Sequence, residues 1–353
     1  MSLYSHYESV DKGSMLLLGI ETSCDETAVA LLHHGQLVGH VVHQQDHRRF
    51  GGVMPQVAAG EHALWMPDVL QRLFDQTPFC ASDIGALGVT SGPGLVGGLL
   101  VGVLWAKALA CRWNIPLWPI HHLEAHGLMV RMQETVDFPY GLLLLSGGHC
   151  LLAVVHQVGQ YTLLGQTYDD AAGECLDKVS RALGGPYPGG PYIEQMALLG
   201  DPWAVPLPVP LAKEKSCHFS FSGLKTACIQ WISNHIPQAQ EEDRAIMKAN
   251  VCASLQRVVA TSLIQRLRYA IQQTGLQTWV LSGGVAANTY FREQFNHMAK
   301  KDHIRLICPP AALCTDNGAV IAWATWERIN AGMPPCRAFS VRPYWPLSES
   351  LYH

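Results

Sequence analysis

The chain lacks the features that would place it in several large functional classes. Its 353 residues carry a formal net charge of −4, so no excess of Lys and Arg advertises a broad nucleic-acid face. Any RNA contact has to come from local patches or from a partner protein. None of the 11 cysteines forms a Cys-x-x-Cys pair, which speaks against a zinc ribbon. Their odd number and scatter speak against a disulfide framework, and a reducing cytoplasmic setting fits better. No apolar run approaches the ~20 residues that span a bilayer, so no membrane is expected. Residues 1–14 hold neither an apolar signal core nor an arginine and read as a tag remnant or disordered extension ahead of Met15. There is no Gly-Lys-Ser/Thr phosphate loop and no RRM or KH signature.

What is present is length and patterning. With 48% hydrophobic and 15% charged residues, the chain is long for one core and ample for two, so two domains are expected. Residues 16–20 form an apolar strand, Glu21 to Thr27 a polar turn, 28–32 a returning strand, and His34-Gly35 a hairpin turn before a third strand at 37–42. Strand, acidic hydroxyl-rich turn, strand is similar to the opening of the actin, Hsp70 and sugar-kinase nucleotide-binding domains, although hairpins also use such residues for turn chemistry alone. The pattern then repeats. A strand at 141–145, the turn Ser146-Gly147-Gly148-His149, and strands at 150–155 and 160–164 copy the meander, and Leu281-Ser282-Gly283-Gly284 copies Leu145-Ser146-Gly147-Gly148. The expectation is an α/β duplication, residues 15–138 and 139–347, with a nucleotide cleft between the copies and final helices able to pack back on the first domain.

Helical spacing is expected at 61–76, 99–111, 169–183 and 245–274. The glycine-rich stretch 91–98, between the strand 84–90 and a helix, can cradle an anion or pack a helix closely on a sheet. The apolar run Ile115-Pro116-Leu117-Trp118 reads as a strand ending at a sheet edge, and a helix follows. On it His122 and His126 are four apart and share one face, either as ligands of one metal or as ordinary helix histidines. Asp316, in Thr315-Asp316-Asn317-Gly318, is either a helix cap or a ligand. A zincin would need His-Glu-x-x-His. Glu124 instead lies two residues after His122, so a metallopeptidase is not expected.

Several of these stretches together resemble the TsaD family, the tRNA adenosine threonylcarbamoyltransferases once described as glycoproteases. They are Gly19-Ile20-Glu21-Thr22-Ser23-Cys24-Asp25-Glu26-Thr27, Ser91-Gly92-Pro93-Gly94-Leu95, His122 through His126, Leu145-Ser146-Gly147-Gly148-His149, Asp169-Asp170-Ala171-Ala172-Gly173-Glu174, Tyr187-Pro188-Gly189-Gly190, Phe219-Ser220-Phe221-Ser222-Gly223-Leu224-Lys225, Gly283 through Asn288, and Cys314-Thr315-Asp316-Asn317-Gly318. The resemblance runs in order from Met15 to Leu347. It implies an actin-like (ASKHA) tandem of RNase H-like domains, and one Fe²⁺ or Zn²⁺ on His122, His126 and Asp316. It also implies substrate contacts at Leu144, Leu145, Ser146, Gly147, Gly148, Asp177, Gly190 and Asn288, which join the Gly283-Gly284 turn. The implied reaction moves a threonylcarbamoyl group from threonylcarbamoyl-AMP to N6 of adenosine 37 in ANN-decoding tRNAs and releases AMP; from their place in the first loop, Asp25 or Glu26 is expected to help take the proton. The implied partners are tRNA, a TsaB-like paralogue and a TsaE-like ATPase; mitochondrial members act alone, and 1–14 carries no organellar presequence. An actin-like ATPase and a non-catalytic scaffold paralogue are the rivals. Both leave the retained metal set unexplained. The departures, at Gln56, Ala59-Gly60-Glu61-His62, His218 and Tyr344, touch none of the metal positions and put only tRNA and partner contacts in doubt.

Overall fold

Two five-stranded sheets with the same strand order organise the chain. The computed structural model describes residues 15–349, and the expected extension at 1–14 lies outside them. In the first sheet β1 (Leu16–Glu21), β2 (Glu26–His33) and β3 (Gln36–Gln44) form an antiparallel meander, and β4 (Ile84–Gly92) and β5 (Leu117–His121) join in parallel, in the order β3-β2-β1-β4-β5. The β2–β3 turn places His34 and Gly35 at φ 50° and 72°, the left-handed pair that a two-residue hairpin requires. Parallel strands need a crossover, and α1 (Pro55–Asp75) and α2 (Val96–Trp113) provide it on either side of β4.

The second sheet repeats this plan. It comprises β6 (Tyr140–Leu145), β7 (Cys150–Gln157), β8 (Gln160–Gln166), β9 (Thr278–Ser282) and β10 (Arg305–Ile307), ordered β8-β7-β6-β9-β10 with β6–β9 and β9–β10 parallel. The helices of the second half are α4 (Ala172–Ala182), α5 (Gly189–Ala197), α6 (Ser222–His235), α7 (Glu241–Thr274) and α8 (Thr289–Asp302), followed by the short α9 (Ala311–Cys314). The short α3 (His122–Leu128) follows β5, and α10 (Gly318–Asn330) closes the helical set.

The chain divides into two compact units. Among the described residues one takes 15–46, 53–135 and 316–349; the other takes 47–52 and 136–315. Within the first, β1 is buried at all six positions, as a central strand covered on both faces should be. Leu18 and Ile20 pack with Val69 and Leu73 of α1 and Val103 and Ala106 of α2. Gly19 between them faces α10 so closely that a Cβ there would stand 2.4 Å from the Ala322 nitrogen. The second core gathers Leu143, Leu145, Leu152, Leu176, Phe219, Phe221, Trp279 and Phe291, each such side chain contributing about 1.5–3 kcal/mol by burial.

Helix starts depart from the sequence expectation for local reasons. α1 begins at Pro55 rather than 61, because proline suits a first helical position whose N–H needs no partner. α2 begins at Val96 and absorbs Gly97 and Gly98; a Cβ on Gly98 would lie 2.3 Å from the Thr22 carbonyl oxygen, so these glycines serve close packing. α4 starts at Ala172 rather than 169, because the Asp169 carboxylate is engaged by the amides of Phe221 and Ser222 and the hydroxyls of Ser220 and Ser222. Among the described residues α2 is long and apolar enough to cross a membrane by length and composition alone, against the expectation of no apolar run near ~20 residues; a third of it is buried here.

Candidate functional site

The metal candidates are built where β5 runs out. His121 ends the strand and caps α3: its Nδ1 accepts from the amides of Leu123 (3.2 Å) and Glu124 (3.4 Å). That fixes the first turn of α3, so His122 and His126 project one turn apart, both buried, with ring centroids 4.7 Å apart. Asp316 comes from the residues leading into α10. The cap there is Asn317, whose Oδ1 accepts from Ala319 N (2.8 Å) and Val320 N (3.1 Å). Asp316 is thereby left to face the histidines, with Oδ1 2.9 Å from His126 Nε2 and 3.4 Å from His122 Nε2. The three ligand atoms all lie within 4.8 Å of one another. Glu124, which a zincin would need one position earlier, is paired with the buried Arg328 of α10.

The polar turn after β1 packs against this group. Glu21, fully buried, accepts from Ser23 N (2.5 Å) and Thr90 Oγ1 (2.5 Å), and its Oε2 lies 3.1 Å from His122 Nδ1. Asp25 Oδ2 accepts from Gln44 Nε2 at 3.2 Å. Among the described residues Glu26 Oε2 is buried without a hydrogen-bond partner. Cys24, Glu26 and Asp316 also bring one ligand atom each within 4.8 Å. Burial, then Asp316 and Asp25, pushes the Glu26 carboxyl well above the carboxylate range, and burial with Asp25 does the same for the Cys24 thiol. For His122, burial works downward, but Asp316 and Glu21 outweigh it and raise the imidazole to about 9. Burial raises Glu21 too, yet His122 beside it leaves the carboxyl below its ordinary value.

This donor set fits a divalent metal. Two imidazole nitrogens and one carboxylate oxygen converge, open positions remain, and surroundings acidic enough to hold His122 as a cation suit a metal cation in its place. Zn²⁺ and Fe²⁺ both match nitrogen and oxygen donors. Sequence reasoning missed Glu21 and Cys24. The available signal was a glutamate closing an otherwise apolar strand.

The expected substrate positions all lie in the second unit. Leu144 and Leu145 are buried strand residues of β6. The following turn closes on itself, Ser146 N donating to His149 O (2.8 Å) and His149 N to Ser146 Oγ (3.0 Å). The Gly147 carbonyl accepts from Glu174 N at 3.1 Å, which packs the start of α4 on the turn. Gly283 sits at φ 93° and ψ 161°, with a would-be Cβ 2.4 Å from Leu145 O, so the two Leu-Ser-Gly-Gly loops touch backbone to backbone. A Cβ on Gly147, Gly148, Gly190 or Gly284 would meet nothing within 4 Å. Asp177 and Asn288 are otherwise occupied. Asp177 Oδ1 accepts from Gly189 N (2.6 Å) at the start of α5, and burial raises its carboxyl. Asn288 caps α8, accepting from Phe291 N (3.0 Å) and donating to Gln256 Oε1 (3.1 Å). The stretch 92–97 has Gly-x-Gly-x-x-Gly spacing, but its Gly94 and Leu95 amides already donate to Pro343 O and Ser23 O, which weakens the anion-cradle reading.

Comparison with known proteins adds the family. A family model described as TsaD, tRNA N6-adenosine threonylcarbamoyltransferase, matches residues 36–323. The tRNA N6-adenosine threonylcarbamoyltransferase of Zymomonas mobilis is 42% identical over 341 residues, covering 94% of this chain and 92% of its own. That of Neorickettsia sennetsu is 42% identical over 329 residues, covering 93% and 97%. Among solved structures, HypF of T. kodakarensis superposes with a TM-score of 0.58 at 12% identity, over 91% of this chain and 49% of its own. Component A of the Acidaminococcus fermentans (R)-2-hydroxyglutaryl-CoA dehydratase gives 0.53 at 14%, over 90% and 100%. At those identities the two structures share the fold alone, the actin-like tandem of domains.

Proposed function

The chain belongs to the TsaD family of tRNA N6-adenosine threonylcarbamoyltransferases, and from that membership we propose how its residues move a threonylcarbamoyl group onto N6 of an adenosine in tRNA. The donor is threonylcarbamoyl-adenylate and the acceptor adenosine 37 of ANN-decoding tRNAs. The N6 lone pair attacks the carbamoyl carbon, a C–N bond forms, and the C–O bond to phosphate breaks, its electron pair leaving with AMP. An exocyclic amine conjugated with its ring is a poor nucleophile, so orientation and carbonyl polarisation carry the rate.

His122 Nε2, His126 Nε2 and Asp316 Oδ1 would hold one Zn²⁺ or Fe²⁺, which when bound supplies Lewis acidity at the acyl-phosphate end. The amine proton goes to Asp25 or Glu26, the two carboxyl groups of the turn that packs against the metal candidates, with Asp25 held by Gln44 Nε2 at 3.2 Å. Backbone at Leu144 to Gly148, Gly190, Gly283 and Gly284 receives the adenylate, where open space replaces side chains at four of those glycines. Asp177 and Asn288 shape these loops through the helix starts they cap.

With a net charge of −4 the chain alone should hold tRNA weakly, because Lys and Arg neutralising phosphates supply most of that affinity. Membership of the family supplies the partners, a TsaB-like paralogue and a TsaE-like ATPase, as its bacterial members use them. An exposed apolar stripe of Val96, Leu100 and Leu104 on α2, with Leu64 on α1, supports a protein partner. A cytoplasmic setting agrees with eleven free thiols.

The observation that carries this reading is the convergence of His122, His126 and Asp316. It is tested by following labelled threonine from threonylcarbamoyl-adenylate into unmodified tRNA. Little product from the chain alone and turnover on adding both partners is the expected result. Multiple turnovers by the chain alone at physiological salt would overturn the partner assignment, and no product under any combination would overturn the donor.

A further inference from the structure

Resting on the metal assignment above, we propose that Glu21 is the positioning residue of the centre. Its carboxylate keeps the His122 proton on Nδ1, so that Nε2 turns its lone pair towards the metal position beside Asp316. A fully buried carboxylate is costly unless its oxygens are matched by donors. Glu21 has them: Oε1 accepts from Ser23 N at 2.5 Å, and Oε2 from Thr90 Oγ1 at 2.5 Å, with His122 Nδ1 at 3.1 Å from Oε2. An ionised carboxylate only accepts hydrogen bonds, whereas a neutral imidazole has one N–H and one bare nitrogen. His122 Nδ1 is therefore the donor to Glu21, and the proton that a metal would displace is the one on Nε2, 3.4 Å from Asp316 Oδ1. Ser23 Oγ, 3.2 Å from the same Nδ1, lies on the same side of the ring.

The support is rigid. Glu21 closes β1, and Thr90 lies on β4, the strand paired with β1 in parallel through Ile20 and Val89. Both strands are buried, so the acceptor is set by the sheet rather than by a loop. A hydrogen-bonded carboxylate behind a ligating imidazole fixes ring orientation and tautomer and raises ligand basicity.

Glu21→Gln separates this role from a purely structural one. The amide has the same shape, so the Ser23 contact can survive through its oxygen. Its NH₂ then faces His122, Nδ1 must accept, and the proton moves to Nε2, where it opposes metal binding. The full-length chain is titrated with Zn²⁺ and Co²⁺. The parent should bind one equivalent, and Glu21→Gln should bind with Kd raised about 10–100-fold and an altered Co²⁺ absorption spectrum. A parent that binds no stoichiometric metal sinks the metal assignment itself. A parent that binds, with Glu21→Gln matching it in Kd and spectrum, sinks the Glu21 role alone. Should Glu21→Gln fail to fold, long-range ¹H–¹⁵N correlation on the ¹⁵N-histidine-labelled, Zn²⁺-loaded parent decides. A proton on His122 Nδ1 upholds the inference; a proton on Nε2 overturns it.

Discussion

Gly283 and Gly284 are neighbours, yet substituting them should produce opposite phenotypes. Gly283 has φ 93° and ψ 161°, a region that only glycine occupies readily, and another residue held there costs about 1–3 kcal/mol. A methyl group would also stand 2.4 Å from Leu145 O and 2.7 Å from its carbonyl carbon, too close for any relaxed contact. Leu145 cannot give way easily, since β6 is paired with β7 on one side and β9 on the other. Overpacking against such backbone costs a further 1–3 kcal/mol or so. Gly283→Ala should therefore lose about 2–6 kcal/mol, a fall in Tm of roughly 3–8 °C for a protein of this size. At Gly284 a Cβ meets nothing within 4 Å, so Gly284→Val should change stability by less than ~0.5 kcal/mol. If that space receives the adenylate, affinity for AMP or ADP should drop at least tenfold, about 1.4 kcal/mol. Differential scanning calorimetry and isothermal titration on the two variants read both quantities. Gly283→Ala melting with the parent, or Gly284→Val binding nucleotide as the parent does, would refute the assignment of one glycine to the fold and the other to the ligand.

His126→Ala should abolish the single equivalent of Zn or Fe measured by mass spectrometry, and stripping the parent with a chelator should stop transfer until Zn²⁺ or Fe²⁺ is restored; full activity in the stripped protein would contradict a catalytic metal. Glu124→Ala leaves Arg328 buried without its carboxylate and should cost about 3–5 kcal/mol in urea unfolding, most of it recovered by also changing Arg328 to Met; a loss under ~1 kcal/mol would show that the pair is not a structural lock. Asp170 is pushed up by burial, but Lys178 (2.8 Å) and Lys225 (2.7 Å) outweigh this and hold its carboxyl low. Its contribution is thus complete above the ordinary aspartate value of about 3.9 and disappears as pH falls through the lowered native value. Asp170→Asn should be roughly 1–2 kcal/mol less stable than the parent near pH 7, with the gap closing as pH falls below the ordinary aspartate range; a gap independent of pH would exclude the two ion pairs as its cause.

Much of this was legible in the residues because it is local. Alternation and turn chemistry located both meanders, so β1 to β3 and β6 to β8 appear close to where the pattern placed them. The four-residue interval put His122 and His126 on one face, because helix geometry leaves no other choice. The repeated Leu-Ser-Gly-Gly announced equivalent strand ends, and β6 and β9 pair in register up to Leu144 and Ser282.

What the residues left open were choices settled by partners far away in the chain. Asp316 had two plausible jobs, and it faces His126, 190 positions away, because its neighbour Asn317 does the capping. Glu21 reads locally as a polar residue ending a strand, and it acquires a role only when folding brings His122, 101 positions later, against it. The same holds for the glycines: sequence marks them all as permissive, but only packing separates Gly283, wedged against Leu145, from Gly284, which borders open space. Periodicity is a property of a few consecutive residues, whereas a buried carboxylate or a bare backbone is defined by whatever the tertiary fold sets beside it.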